Sequence, residues 1–153
     1  KDQQVRTGVV RSIIEMRRTM APEVARLAAR RASPQQVQAL RYHVQQMRDS
    51  KDELIKLQDV AMTFWGVLVE AGSNIAFQLA YHSLESTYSK VQRQLVHVLE
   101  PELKAVARYE ALANAVAEGQ EEAASVEAGA IVKLGSEALE SVLAALDAVQ
   151  VVQ

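Results

Sequence analysis

Hydrophobic positions recur along this chain at steps of three and four, the period of one face of an α-helix. The clearest stretch is the middle one. Leu54, Leu57, Ala61, Phe64, Leu68 and Ala71 form one stripe, and Trp65, four residues after Ala61 and four before Val69, widens it. Gly72 offers the permissive backbone a helix end favours, and Ser73 or Asn74 can cap the next helix. Ala61–Asn74 therefore reads as the last turns of a buried central helix, with the chain's single tryptophan at its middle. A tryptophan at that spacing reads first as a core residue.

Upstream, Val5, Val9, Ile13, Met16 and Met20 make a stripe that Val24, Leu27 and Ala28 resume beyond Pro22. Asp2 to Arg31 is thus expected to be a kinked rod, or two rods nearly in line. Ser33-Pro34 is a helix start, with serine as N-cap and proline in the first turn. Val37, Leu40, His43 or Val44, and Met47 carry the inner face that follows. Ser50 and Glu53 have the spacing of a capping box, which predicts that they open the central helix.

Downstream of Asn74, the positions Phe77, Tyr81, Leu84, Tyr88, Val91, Leu95 and Val98 form a long seam, able to line a cavity or a subunit contact. Glu100-Pro101 restarts the chain, with Glu102 placed favourably for the helix dipole and Ala105, Tyr109, Leu112 and Val116 as the face. Glu118-Gly119 ends that helix. The last one starts near Gln120 and turns Ala124, Ile131, Leu134, Ala138, Val142 and Leu146 inward, with Val149–Gln153 expected to fray. No stretch shows the alternation of a strand. The pattern predicts an all-α fold, an antiparallel bundle of about six to seven helices.

At 153 residues the chain suits a single domain with a core of its own. Its residues are 49% hydrophobic but only 5% aromatic, with six glycines and three prolines, a mixture that favours helix. Seventeen basic against nineteen acidic residues leave a net charge of −2, no basis for gripping nucleic acid unaided. The absence of cysteine excludes disulfides and thiol chemistry and fits a cytoplasmic location. No run of 18 apolar residues and no signal-peptide core argue for a membrane. Because it starts at Lys1, the chain is expected to lack an N-terminal portion.

Catalytic raw material is thin. His43, His82 and His97 lie on separate stretches, none with a second ligand one helical turn away, and no glycine loop resembles a phosphate cradle. The serines lack a nucleophile-elbow context, and the carboxylates fall mostly at helix starts and on polar faces. An enzyme is not expected. Arg17 and Arg18 sit between Met16 and Met20; an arginine turned inward there needs an anion, from the protein or from a ligand.

Ile13–Pro34, IIEMRRTMAPEVARLAARRASP, followed by Thr63–Asn74, TFWGVLVEAGSN, resembles the C-terminal effector-binding domain of FadR-subfamily GntR transcription regulators. Glu15, Arg17, Pro22, Ala25, Leu27, Ala28, Ala29, Arg31 and Ala32 follow that family's first-helix pattern, and Phe64, Ala71 and Asn74 its central-helix pattern. The likeness covers nearly the whole chain. It implies a homodimer that reaches operator DNA through an N-terminal winged helix-turn-helix, absent from these residues, with residues 1–153 as the effector-binding and dimerisation domain.

Many members of that family hold a metal with one Asp and three His. The matching positions here are Ala61, Trp65, Tyr109 and Ile131, and Asp59 points roughly 200° away from Ala61 around the helix. The resemblance therefore implies no metal and no cofactor. Asn74–Leu95 is similar to the fatty-acid-responsive branch, with Tyr88 and Arg93 at matching places. The implied ligand is a long-chain acyl-CoA or related lipid, held by Arg17, Phe64, Trp65, Leu68, Leu84, Tyr88, Tyr109 and Ile131. Each buried methylene adds about 0.8 kcal/mol to such binding. Three alternatives stay open: Trp65 and Ile131 fill the vacated metal cavity and leave no ligand site, the Phe77–Val98 seam is only a dimer surface, or Arg17 takes a small organic acid.

Overall fold

The computed structural model describes residues 2–152, with side chains from Arg6 onward; the side chain of Val5 and all of Gln153 lie outside the described residues. Among them are seven helices: α1 (Asp2–Arg31), α2 (Pro34–Asp49), α3 (Leu54–Ala71), α4 (Ile75–Gln94), α5 (Glu100–Leu103), α6 (Val106–Ala117) and α7 (Glu121–Val152). No strand occurs among the described residues. The fold is the all-α bundle that the periodicity predicts.

The long pair α1 and α7 forms its back. Arg11, Arg18, Arg26 and Arg30 pair with Asp147, Glu140, Glu122 and Glu121 in turn, so numbers on α7 fall as those on α1 rise. The two helices run antiparallel. Pro22 lies inside α1, which continues through it as one helix. On the other side α2 packs on α3 and α6, and α3 lies at the centre with Leu57, Phe64, Leu68 and Ala71 fully buried.

The caps explain most of the boundaries. Ser33 and Gln36 form a reciprocal capping box at α2, and Asn74 accepts from Phe77 N at the start of α4. Ser50 and Glu53 do not form the expected box. Ser50 still terminates α2, its N–H donating to the Met47 carbonyl, so α3 starts only at Leu54, with Glu53 as an N-cap that makes no side-chain capping hydrogen bond.

Gly72 is also needed for another reason than the one its position suggests. Its φ is −70°, ordinary for any residue, and the left-handed residue is Ser73 at φ 52°. A side chain at Gly72 would meet Leu27 Cβ at 3.2 Å, because α1 crosses the end of α3 there. Arg31 Nη1, from the end of α1, donates to the Gly72 carbonyl at 2.8 Å and satisfies one of the helix's terminal acceptors. Gly119, at φ 66°, is the glycine that backbone conformation requires.

Three other expectations are corrected. The seam from Phe77 to Val98 belongs to α4 only as far as Gln94; Leu95 and Val98 lie in the turns beyond it. The helix expected from Pro101 to Val116 is two, a single turn α5 and then α6, broken at Lys104–Ala105 where Ala105 leaves the helical region at ψ 48°. On α7 the buried arc takes Val132, Gly135, Ser136, Leu139 and Leu143, while Leu134, Ala138 and Val142 are only half-buried and Leu146 is exposed. Small residues face inward there because α5 presses against them, a preference that a search for large aliphatic positions misses.

Candidate ligand cavity between α1, α3 and α4

Helix α4 is the loosest member of the bundle. Its main contacts are with α3 and α1, and among its described residues only Tyr88 is fully buried. Polar contacts hold it against α3: Gln58 Nε2 donates to the Gln92 carbonyl at 2.7 Å, Tyr81 Oη donates to the Met62 carbonyl at 2.9 Å, and at the exposed end Arg93 pairs with Asp59 and donates to the Ile55 carbonyl. Between these anchors remains a cavity of about 90 Å³. Met16, Met20, Ala21 and Val24 of α1, Met62, Trp65 and Val69 of α3, and Leu84 and Tyr88 of α4 line it, with Val132 of α7. Arg17, Glu85 and Gln92 bring the polar side chains. Met16, Ala80 and Leu84 also line a groove of about 580 Å³ that runs along α1 and α4 past Val9 and Ile13.

The cation of this wall is already partnered. Arg17 Nη2 donates to both carboxylate oxygens of Glu102, at 2.8 and 2.9 Å, with the side chains 15% and 3% exposed. Burial works against the Arg17 charge, but Glu102 outweighs it through charge and hydrogen bond and holds the guanidinium above its ordinary range. Tyr88 lies beside this pair, its phenol pushed up by burial, and its Oη has no hydrogen-bond partner among the described residues.

Behind Trp65 the space is filled. Trp65 Nε1 donates to Tyr109 Oη at 3.2 Å, and Phe64 meets the Tyr109 ring edge-on at 5.1 Å between centroids. Tyr109 and Ile131 have no exposed surface. Burial pushes the Tyr109 phenol up, which favours its neutral form. With Ala61 as the fourth member, these positions offer nothing that fits the metal of the resembled family. Among the described residues no three His, Asp or Glu side chains gather as a metal site requires.

The eight residues singled out from the sequence thus divide. Arg17, Trp65, Leu84 and Tyr88 line the cavity, whereas Phe64, Leu68, Tyr109 and Ile131 pack in the core behind it. Sequence reasoning missed Glu102 and Met62 as parts of this region, whereas Tyr81 stood on the seam expected to line a cavity. Glu102 carried a signal, since a buried Arg17 calls for a carboxylate, but its place in the first turn after Pro101 reads equally well as a dipole partner.

Residues 12–133 match the FCD domain, and the chain belongs to that family. Two relatives are each 29% identical over 136 residues, 89% of this chain and 56% of theirs. One is an uncharacterized HTH-type transcriptional regulator, Mb0601, of Mycobacterium bovis; the other is the HTH-type transcriptional regulator Mce2R of Mycobacterium tuberculosis. The chain spans a little over half the length of these curated relatives. No helix among the described residues is long and apolar enough to cross a membrane.

Proposed function

We propose that this FCD domain is the ligand-sensing part of a cytoplasmic, homodimeric transcription regulator, and that its ligand is a long-chain acyl-CoA bound without a metal. Both relatives are named HTH-type transcriptional regulators, and a helix-turn-helix head on the N-terminal side of this domain would meet operator DNA. The observation that carries the reading is the wall of the cavity. Three methionines, Trp65, Leu84 and Tyr88 surround it, and of these Trp65 stands at a position where the resembled family has a metal ligand. Methionine-rich walls adapt to long flexible guests.

At about 90 Å³ the cavity is below the roughly 300 Å³ from which ligand sites usually start, so an acyl chain must move α4 or run into the adjoining groove. Helix α4 is the element free to do so, since it packs mainly on α3 and α1 and only one of its side chains is fully buried among the described residues. Its displacement changes what α1 packs against, and through α1 the placement of a head before residue 1. A ligand shifts such an equilibrium only by its unequal affinity for the two arrangements.

A second reading is favoured by the Trp65–Tyr109 pair: side chains fill the old metal position and the domain only dimerises. The organic-acid reading is disfavoured by Glu102, which already occupies Arg17. Melting curves with palmitoyl-CoA, free CoA and citrate separate the three. The acyl-CoA reading expects a rise with palmitoyl-CoA alone, the dimerisation reading no rise with any, and the organic-acid reading a rise with citrate. Native mass spectrometry of the purified protein gives an independent check, a bound lipid being the expected result.

A further inference from the structure

Arg17 and Tyr88 line the same cavity, Glu102 lies directly behind Arg17, and the Tyr88 hydroxyl is buried beside the pair with no partner among the described residues. We propose that Glu102 is a built-in carboxylate that occupies Arg17, so that the cavity rejects free carboxylates and takes an uncharged oxygen, a carbonyl or hydroxyl on an apolar ligand, at Tyr88 Oη. The inference rests on the cavity being the ligand site and names the polar group recognised there.

Charge decides the first half. Arg17 and Glu85 line the cavity and Glu102 sits directly on Arg17, so one positive charge faces two negative ones. An entering carboxylate would lose its water and find a cation that is already neutralised. The seat of Glu102 is itself shaped for a carboxylate. A Cβ at Gly135 would stand 2.5 Å from Glu102 Oε1, so α7 has a glycine where the carboxylate lies against its backbone. Three helices therefore converge on this one group: α1 supplies the cation, α5 the anion and α7 the space.

The hydroxyl decides the second half. Tyr88 is 3% exposed and its Oη has no partner among the described residues, an arrangement that costs free energy which a ligand oxygen would offset. A neutral phenol both donates and accepts, which suits a carbonyl or an alcohol. The remaining wall is apolar and suits a hydrocarbon body.

Trp65, the single tryptophan, is on the wall and reports occupancy by its fluorescence. Titration with 1-decanol and with decanoate compares one chain length with an uncharged and a charged oxygen. The alcohol is expected to bind at least about tenfold more tightly, and Tyr88→Phe to lose about tenfold for the alcohol. Glu102→Gln, which frees the Arg17 charge, is expected to bind decanoate more tightly than the unmodified protein does. Equal binding of the two probes overturns the inference, as does a Tyr88→Phe variant that binds the alcohol unchanged. Palmitoyl-CoA in the same assay keeps the two readings apart. If it does not bind while the alcohol preference and its loss in Tyr88→Phe hold, the acyl-CoA reading falls and this one stands. If it binds and neither substitution alters any titration, the reverse is true.

Discussion

The indole N–H of Trp65 on α3 and the phenolic oxygen of Tyr109 on α6 are joined by a 3.2 Å hydrogen bond in the centre of the fold. Two side chains from different helices thereby satisfy each other at positions where the resembled family keeps metal ligands. Tyr109→Phe keeps the edge-on packing against Phe64 and removes only the acceptor. It is expected to cost about 1–2 kcal/mol, lowering Tm by roughly 2–8 °C, and to shift Trp65 emission. Addition of EDTA or zinc is expected to leave the Tm of the unmodified protein where it is. A zinc-dependent rise would restore a metal to the account.

The Arg17–Glu102 pair supports a double-mutant cycle. Arg17→Met leaves Glu102, only 3% exposed, with no counter-charge, and is expected to cost about 3 kcal/mol in denaturant unfolding. Adding Glu102→Met to it removes the orphan and is expected to recover most of that loss. Additive losses in the cycle would mean that the two groups do not act as a pair.

What could be read from the sequence follows from what repeats. Helix identity, the Ser33 cap, the Asn74 cap and the Gly119 stop all depend on neighbours within one turn, and the spacing of residues shows them. Facing partners do not repeat. Whether Arg17 meets Glu102 depends on the break at Lys104–Ala105, and no local pattern announces that α5 is one turn long. The same holds for α7, whose inner arc includes Gly135 and Ser136 because of what presses on them. For the cavity, Trp65, Leu84 and Tyr88 were legible as apolar helix positions; the division between wall and solid core was not, since both share one period.

Two glycines of α7 test that geometry with opposite signs. Gly135→Ala places a methyl 2.5 Å from Glu102 Oε1 and 3.3 Å from Leu99 Cδ2, and the carboxylate can yield only by leaving Arg17. The expected cost is about 1–3 kcal/mol. Gly129→Ala meets only Pro22 Cγ at 3.7 Å, an ordinary contact, and is expected to stabilise the helix by up to about 1 kcal/mol. Chemical denaturation of the two variants side by side provides the measurement.

Alkaline pH should expose the buried tyrosines. Burial raises the phenols of Tyr81, Tyr88 and Tyr109 above their ordinary value, so the folded chain keeps three protons that the unfolded chain releases above about pH 10. The unfolded state then binds fewer protons than the native one, and stability must fall as pH rises. The stabilisation is complete below the unfolded value near 10 and declines above it, at up to about 1.4 kcal/mol per pH unit for each fully shielded phenol. Tyr109→Phe removes one titrating group and should make that decline shallower, even though the variant starts from a lower stability at neutral pH. Denaturant midpoints between pH 8 and 11 give the slopes. Parallel slopes for the two proteins would show that Tyr109 ionises as freely in the folded chain as in the unfolded one.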